Sequence, residues 1–94
     1  MGRWSRYDDQ RPLTLFVANF DIDVEEEDLE KLFEEFGEVL GAQIWQDFET
    51  GRSKGWGFVT MALNEDGERA IKYLDGAVWR KRRLKVKKAR NQDN

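Results

Sequence analysis

The sequence contains no cysteine and no histidine, and it has a single proline. Without cysteine a disulfide scaffold is excluded, and without both residue types the usual zinc ligands, cysteine nucleophiles and imidazole bases are missing. Most hydrolase and metalloenzyme mechanisms therefore have no residues to use. We expect no catalysis, no cofactor and no metal ion.

Long hydrophobic runs are also missing, so that no segment is long enough to span a bilayer. The first ten residues, MGRWSRYDDQ, lack the apolar stretch of a secretory signal. We therefore expect an intracellular protein without a membrane partner, located in the nucleus or the cytoplasm, with an organelle as a further option. The 94 residues, 39% hydrophobic and 13% aromatic, suffice for one folded domain with a modest core.

Charge of the two signs is separated along the chain, although the formal net charge is only −3. Residues 21–49 carry twelve acidic and one basic side chain, whereas residues 78–94 carry eight basic and one acidic. A compact domain with this pattern is expected to present one acidic and one basic face. The run RKRR at residues 80–83, with the basic residues that follow, favours contact with a polyanion. A solvated strand face and a nuclear-import signal are the alternatives.

Four segments have the composition and length of strands. They are LTLFVANF at residues 13–20, VLGAQIWQ at residues 39–46, WGFVTM at residues 56–61 and VWRKRRLKVKKA at residues 78–89. In the last segment apolar and basic residues alternate from position 83 to position 87, with the period of two that is typical of a half-buried strand. We expect this segment to form a single final strand.

Two further segments show the periodicity of helices. An apolar stripe with the spacing i, i+3, i+4, i+7 is formed by Leu29, Leu32, Phe33 and Phe36. Gly37 then provides a stop signal. The second helix is expected to begin with Asn64 as its N-cap and to end before Gly76. Gly67 inside it should cost about 1 kcal/mol relative to alanine, unless close packing on a sheet requires a glycine.

The order of these elements is βαββαβ, which predicts an α+β fold of the ferredoxin-like type. In this fold two helices cover one face of a four-stranded antiparallel sheet and leave the other face open. We assign the domain to residues 12–90. Residues 1–11 are expected to form a flexible N-terminal arm, and residues 91–94 a C-terminal tail.

Side-chain alternation predicts which residues the open sheet face carries. With Leu15, Ile44 and Val59 turned toward the helices, neighbouring side chains must point to the opposite side. The expected aromatic residues there are Phe16, Trp45, Trp56 and Phe58, and the expected polar and basic residues are Gln43, Lys54, Arg83, Lys85 and Lys87. Exposed aromatic patches usually mark binding sites, and flat rings beside cations suit unstacked bases and their phosphates.

Two segments resemble motifs of a known family. KGWGFVTM at residues 54–61 is similar to the RNP1 octamer, and LFVANF at residues 15–20 is similar to the RNP2 hexamer, of RNA-recognition motifs. The resemblance extends from about Pro12 to about Ala89. It implies a monomeric module that binds single-stranded RNA, with single-stranded DNA as the alternative polymer, in RNA processing or post-transcriptional regulation.

The resemblance also implies a role for each site residue. Phe16 and Phe58 would each stack on a base, and Trp56 would lie against sugars or a neighbouring base. Lys54 would contact a phosphate, and Arg83, Lys85 and Lys87 would guide the backbone of the strand.

The two motifs depart from the usual pattern at three positions. Trp56 replaces the usual Phe or Tyr of the octamer, Met61 closes the octamer in place of Phe or Tyr, and Phe20 ends the hexamer in place of Leu. We expect Met61 and Phe20 to face the core, and Trp56 to widen the stacking surface.

Other interpretations of the same residues exist. The rings at Phe16 and Phe58 could be core residues covered by the arm around Trp4 and Tyr7, by the tail or by a partner protein. Trp45 could merely shield its neighbours at a sheet edge, and Trp79 is expected in the core. The aromatic face or the acidic first helix could instead dock another polypeptide. A small ferredoxin-like enzyme is disfavoured, because no residue set supplies a nucleophile with a base.

Overall fold

The computed structural model describes residues 11–90, so that the predicted arm up to residue 10, including Trp4 and Tyr7, and the predicted tail at residues 91–94 lie outside the described residues. The elements are β1 (Leu13–Ala18), α1 (Glu26–Glu34), β2 (Val39–Gln46), β3 (Ser53–Met61), α2 (Asn64–Leu74), β4 (Val78–Trp79), β5 (Arg82–Arg83) and β6 (Lys85–Lys88). Neither helix between residues 11 and 90 combines the length and apolar character that a bilayer crossing requires.

Four of the strands form one antiparallel sheet in the order β2-β3-β1-β6. The central strand β1 pairs with β3 on one side and with β6 on the other, so that Phe16 lies opposite both Phe58 and Lys87. Both helices pack against the same face of this sheet. The predicted ferredoxin-like α+β fold is therefore confirmed.

The core lies between the sheet and the two helices. Strand β1 alternates strictly between buried and half-buried residues, as a strand with one covered face must. The inward residues of the strands meet α1 through Leu29 and Phe33 and α2 through Ala70 and Leu74. Phe20 and Met61 are also buried, as predicted from their positions in the two motifs.

Gly67 allows α2 to approach β1 closely. A Cβ atom at this position would lie 2.7 Å from Leu13 Cδ2 and 3.2 Å from Leu13 Cβ, distances that would force a shift in the packing. The predicted condition for tolerating a glycine inside a helix is thus met, because the helix–sheet contact requires it.

The prediction of a single final strand is wrong. Residues 78–83 form a separate two-stranded ribbon, in which Val78 pairs with Arg83 and Trp79 with Arg82, and only β6 joins the four-stranded sheet. The chain reverses at Arg80 and Lys81, which have φ values of 51° and 72°. Two consecutive residues with positive φ are typical of a tight two-residue hairpin turn. Trp79 packs against the core, as expected.

Two predicted boundaries also need correction. Strand β3 begins at Ser53 rather than Trp56, because Ser53 pairs with Gln46 beyond a register shift in β2. Asn64 is the first residue of α2 and not its N-cap. The N-cap is Leu63, whose extended backbone provides the entry to the helix without a side-chain hydrogen bond.

Candidate nucleic-acid interface

Four aromatic rings from three adjacent strands form one continuous surface on the sheet face opposite the helices. The ring of Phe16 lies 5.7 Å from that of Phe58 and 5.8 Å from that of Trp56. Trp45 stacks on Trp56 with centroids 5.4 Å apart and planes 18° apart, and it meets Phe58 edge-on at 5.6 Å. We call Phe16, Trp45, Trp56 and Phe58 the aromatic platform.

The strand register explains why these rings meet. Phe16 and Phe58 are direct partners across β1 and β3, and Gln43 is the partner of Phe58 across β3 and β2. Gly57, between the two rings of β3, allows the strands to approach, since a Cβ atom there would clash with the Gln43 carbonyl oxygen. The sequence of β3 therefore places large rings on the open face. At Gly57, where the backbone of β2 is close, it has no side chain.

The platform differs from the core in its exposure. Phe16, Trp56 and Phe58 are half-buried, and Trp45 is 40% exposed, whereas Phe33 on the covered face is fully buried. Each platform ring is partly covered by the other rings. In contrast to the core rings, the four platform residues thus keep exposed surface that a ligand can contact.

Basic side chains border the platform on the side of β6. Lys87 Nζ lies 5.7 Å from the centroid of the Phe16 ring, at a distance that allows a cation–π interaction. Lys85 pairs across the sheet with Ala18. Together with Lys54, it lines a 510 Å³ cavity whose other lining residues include Phe16 and Trp56. The structure thus brings three of the four predicted basic site residues to the platform.

Arg83, the fourth predicted basic residue, has a different setting. It lies in β5, outside the four-stranded sheet, and its Nη1 atom donates a hydrogen bond to the Gly76 carbonyl oxygen at 2.8 Å. The guanidinium is therefore directed to the loop after α2. The predicted contact of Arg83 with RNA stays a prediction.

Gln43 lies at the opposite border of the platform. Its exposed side chain lines a 580 Å³ cavity, together with Trp45, Phe58 and Thr60. The hydroxyl of Thr60 is hydrogen-bonded to that of Thr14 at 3.0 Å in the same cavity. The platform is thus bordered by cations on one side, and on the other by neutral polar groups and by Glu26, which also lines this cavity.

Ion pairing separates the basic residues into two groups. On the side of the helices, Arg80 pairs with Asp28 at 3.2 Å and Lys88 with Glu68 at 3.1 Å. Within residues 11–90, the basic residues near the platform have no ion pair within 4 Å. They are Lys54, Arg82, Lys85 and Lys87. Their charge is therefore available to an anionic ligand.

The loop between β2 and β3 is organised by Asp47. Its Oδ1 atom accepts the backbone N–H groups of Thr50 at 3.0 Å and Glu49 at 2.8 Å. These hydrogen bonds, with a smaller contribution from the charge of Lys54, hold the pKa of Asp47 below its ordinary value. The loop that leads into Lys54 is thereby fixed by local hydrogen bonds.

The described region contains no candidate metal-binding site. Between residues 11 and 90, no three carboxylate, imidazole or thiol side chains come together in a way that could hold a metal ion. The candidate site consists of the aromatic platform and of the basic and polar side chains at its borders.

The platform and its position agree with the comparison to known protein families. The family model described as "RNA recognition motif" matches residues 15–85. This chain belongs to the RNA recognition motif family. The predicted resemblance is thus confirmed, and Phe16 and Phe58 of this RRM occupy the RNP2 and RNP1 segments on paired central strands.

Curated relatives of this RRM come from cyanobacteria and chloroplasts. The Synechocystis protein named "Putative RNA-binding protein RbpA" is 43% identical over 82 residues, which cover 87% of this chain and 81% of RbpA. The chloroplastic 28 kDa ribonucleoprotein of Spinacia oleracea is 40% identical over 84 residues, covering 89% of this chain and 36% of that protein.

Solved structures of similar domains include a protein/RNA complex. The crystal structure of RNA Binding Protein PG1 matches with a TM-score of 0.82 and 39% identity, over 87% of this chain and 99% of that one. The Sxl-lethal protein/RNA complex matches with a TM-score of 0.79 and 37% identity, over 84% of this chain and 47% of that one.

Proposed function

We propose that this RRM binds single-stranded RNA on the open sheet face, without a chemical step. The observation that carries the proposal is the continuous aromatic platform with basic residues at its border that have no acidic partner within residues 11–90. Bases would stack on the rings, and phosphates would approach the cations. Both interactions tolerate many sequences, because every base has a flat face and every nucleotide has a phosphate.

Each platform ring has a proposed role. Phe16 and Phe58 each stack on one base, and Trp56 contacts a sugar or a neighbouring base. Trp45, exposed and stacked on Trp56, extends the surface toward β2. A stacked base contributes about 1–3 kcal/mol as judged by alanine substitution. The proposed binding energy is therefore concentrated in these rings.

The proposed polar contacts lie on both sides of the platform. Lys54, Lys85 and Lys87 neutralise phosphates. Gln43 offers its amide to a base edge next to Phe58. We also propose that Arg83 contacts the part of the RNA strand that extends beyond β6.

The decisive experiment removes the two paired rings. The double variant Phe16→Ala plus Phe58→Ala should bind a fluorescein-labelled RNA dodecamer of mixed sequence about 30-fold to 25,000-fold more weakly in fluorescence anisotropy, since two base stacks are lost. Phe48→Ala is the matched control, because Phe48 is a fully exposed aromatic outside the platform. Wild-type affinity in a folded double variant would refute the proposal.

A second candidate function is docking of another polypeptide. The observation that favours it is the acidic face of α1, which presents exposed glutamates such as Glu27 and Glu34. A map of NMR shift changes upon addition of RNA separates the two functions. Changes on the platform support RNA binding, whereas changes confined to α1, or none, support protein docking.

The setting of the function is part of the proposal. We assign this RRM to RNA processing or post-transcriptional regulation as a monomer, with single-stranded DNA as the alternative ligand. The cyanobacterial and chloroplastic relatives favour the cytoplasm or an organelle, and they give no support to a nuclear location.

A further inference from the structure

A basic corner lies next to the aromatic platform, where β1 ends. The 510 Å³ cavity at this corner has Phe16 and Trp56 among its lining rings. Three cationic side chains also line it, namely Lys54, Arg82 and Lys85. These residues come from the start of β3, the two-stranded ribbon and the start of β6. The fold thus gathers three positive charges from separate segments beside a surface that suits a base.

Arg82 is the most firmly held of the three cations. Its Nε atom donates to the Asn19 carbonyl oxygen at 3.0 Å, and its Nη2 atom donates to Asn19 Oδ1 at 3.1 Å. Asn19 in turn donates from Nδ2 to the Arg83 carbonyl oxygen at 2.8 Å. Asn19 has a φ of 70°, a left-handed conformation that asparagine tolerates better than most residues. The end of β1 and the ribbon therefore hold one another through these two side chains.

The hydrogen bonds to Asn19 leave part of the guanidinium open. Arginine has five N–H donors, and Asn19 uses two of them, both on the edge formed by Nε and Nη2. Among residues 11–90, no hydrogen bond uses the edge formed by Nη1 and the second hydrogen of Nη2, so that this edge is available to a ligand. Two parallel N–H groups of this kind match two oxygens of a phosphate.

The charge of Arg82 is also available. In the region spanning residues 11–90, no carboxylate pairs with Arg82, whereas the nearby Arg80 pairs with Asp28 at 3.2 Å. The partners of Arg82 are the neutral carbonyl and amide oxygens of Asn19. Asn19 therefore fixes the position of the guanidinium without cancelling its charge.

We propose that Arg82, Lys54 and Lys85 form a binding site for one particular phosphate of the RNA strand, adjacent to the nucleotide on Phe16 and Trp56, and that Asn19 is the positioning residue for Arg82. This inference rests on the proposed function and adds to it. It places the phosphate site at a fixed corner of the sheet. Arg82 would thereby help to determine the position of the RNA strand along the aromatic platform. One phosphate bound at a fixed position sets where the following bases fall on the platform.

The test uses an RNA octamer that the protein selects from a random pool. Each linkage is replaced in turn by an uncharged methylphosphonate, with 2′-O-methyl sugars for chemical stability, and the affinity is measured for every position. For the wild type we expect one linkage at which the loss is largest. Arg82→Gln should bind more weakly, remove the extra loss at that linkage, and reduce the slope of log K against log salt by about 0.7.

Three further variants separate charge, geometry and folding. Arg82→Lys should leave the slope of log K against log salt unchanged, because it retains the positive charge. It should reduce the extra loss of affinity at the one sensitive linkage, because lysine lacks the planar guanidinium with its two parallel N–H groups. In Asn19→Gly, glycine adopts the positive φ of this position and the side-chain amide is lost. This variant should reduce the extra loss of affinity at the sensitive linkage and leave the slope of log K against log salt unchanged. Lys81→Gln is the matched control, since it removes a neighbouring charge that does not line the cavity, and it should keep the wild-type linkage profile.

The outcomes distinguish this inference from the proposed function. If the wild type binds no octamer, the proposed function itself fails. If the wild type binds and folded Arg82→Gln keeps the wild-type linkage profile and salt slope, only the phosphate site is overturned. If Asn19→Gly keeps the wild-type profile, Asn19 does not position Arg82. Thermal unfolding of each variant establishes that it is folded.

Discussion

The Asp75 carboxylate accepts a hydrogen bond from the backbone N–H of Val86 at 2.9 Å. Val86 lies on β6, one edge of the sheet, and the opposite edge has the same arrangement, since Glu26 Oε2 accepts the N–H of Ile44 on β2 at 3.0 Å. An unpaired N–H on an edge strand is a site at which another chain can add. In this domain a carboxylate from the helical layer occupies one such N–H on each edge.

The first prediction concerns this edge contact. Asp75→Ala leaves the part-buried N–H of Val86 without its acceptor and should lower the free energy of unfolding by about 1–3 kcal/mol, the usual cost of an unsatisfied buried donor. Asp75→Asn keeps an acceptor oxygen and should lose less. Urea unfolding followed by circular dichroism measures both, and identical midpoints for Asp75→Ala and the wild type would contradict the prediction.

Trp45 provides a second prediction, about the width of the platform. Its ring stacks on Trp56 at 5.4 Å and is 40% exposed, so that its removal should affect the ligand more than the fold. Trp45→Ala should weaken RNA binding by about 5- to 150-fold, the equivalent of one stacked base. Tyr73→Ala is the control, because Tyr73 stacks on Phe36 on the helical side. Equal RNA affinities for the two variants would show that Trp45 only covers neighbouring residues and does not contact the RNA.

A third prediction uses a difference between the lysines of β6, since Lys88 has an ion pair whereas Lys85 and Lys87 have none within residues 11–90. Changing both Lys85 and Lys87 to Gln should make the slope of log K against log salt shallower by about 1.4, since each phosphate contact on a single strand contributes about 0.7. Lys88→Gln should change the slope little, because Lys88 pairs with Glu68 of α2 at 3.1 Å. Binding titrations at several salt concentrations provide the slopes. An unchanged slope in the double variant would remove both lysines from the phosphate contacts.

The platform could be predicted from the sequence because it depends on local alternation. The period of two in β1 and β3 placed Phe16 and Phe58 on the open face, and the register of the antiparallel pair then brought them together. Trp45 was harder, since β2 has two register shifts against β3. Its stacking on Trp56 depends on where those irregularities fall.

The ribbon at residues 78–83 escaped prediction for a physical reason. Its turn consists of Arg80 and Lys81, which adopt positive φ although glycine and asparagine are the usual residues there. The uninterrupted basic pattern therefore indicated one strand. The contact between Arg82 and Asn19 joins residues 63 positions apart, and no local pattern reports such a contact. Arg82 is consequently predicted only as part of the basic run at residues 80–83, and not as an individual residue of the site.

The last prediction concerns acid stability at the start of α1. Asp28 accepts the backbone N–H of Glu25 at 2.9 Å and pairs with Arg80 at 3.2 Å, and these contacts hold the pKa of Asp28 below its ordinary value of 3.8. A carboxylate with a lowered pKa in the folded state stabilises the protein above the pKa of the unfolded chain, and this contribution is lost as the pH falls through the folded-state pKa. The unfolded chain therefore binds this proton first on acidification.

Asp28→Asn should accordingly lower the urea midpoint at pH 7 and flatten its decline below about pH 4, where the contribution of Asp28 disappears in the wild type. Asp23→Asn is the control, since the Asp23 side chain makes no hydrogen bond or ion pair with residues 11–90. The two curves for the wild type and Asp28→Asn should converge toward pH 2. If they stayed parallel from pH 7 to pH 2, the contribution of Asp28 would not depend on its ionisation, and the hydrogen bond to Glu25 and the pair with Arg80 would have no electrostatic effect on stability.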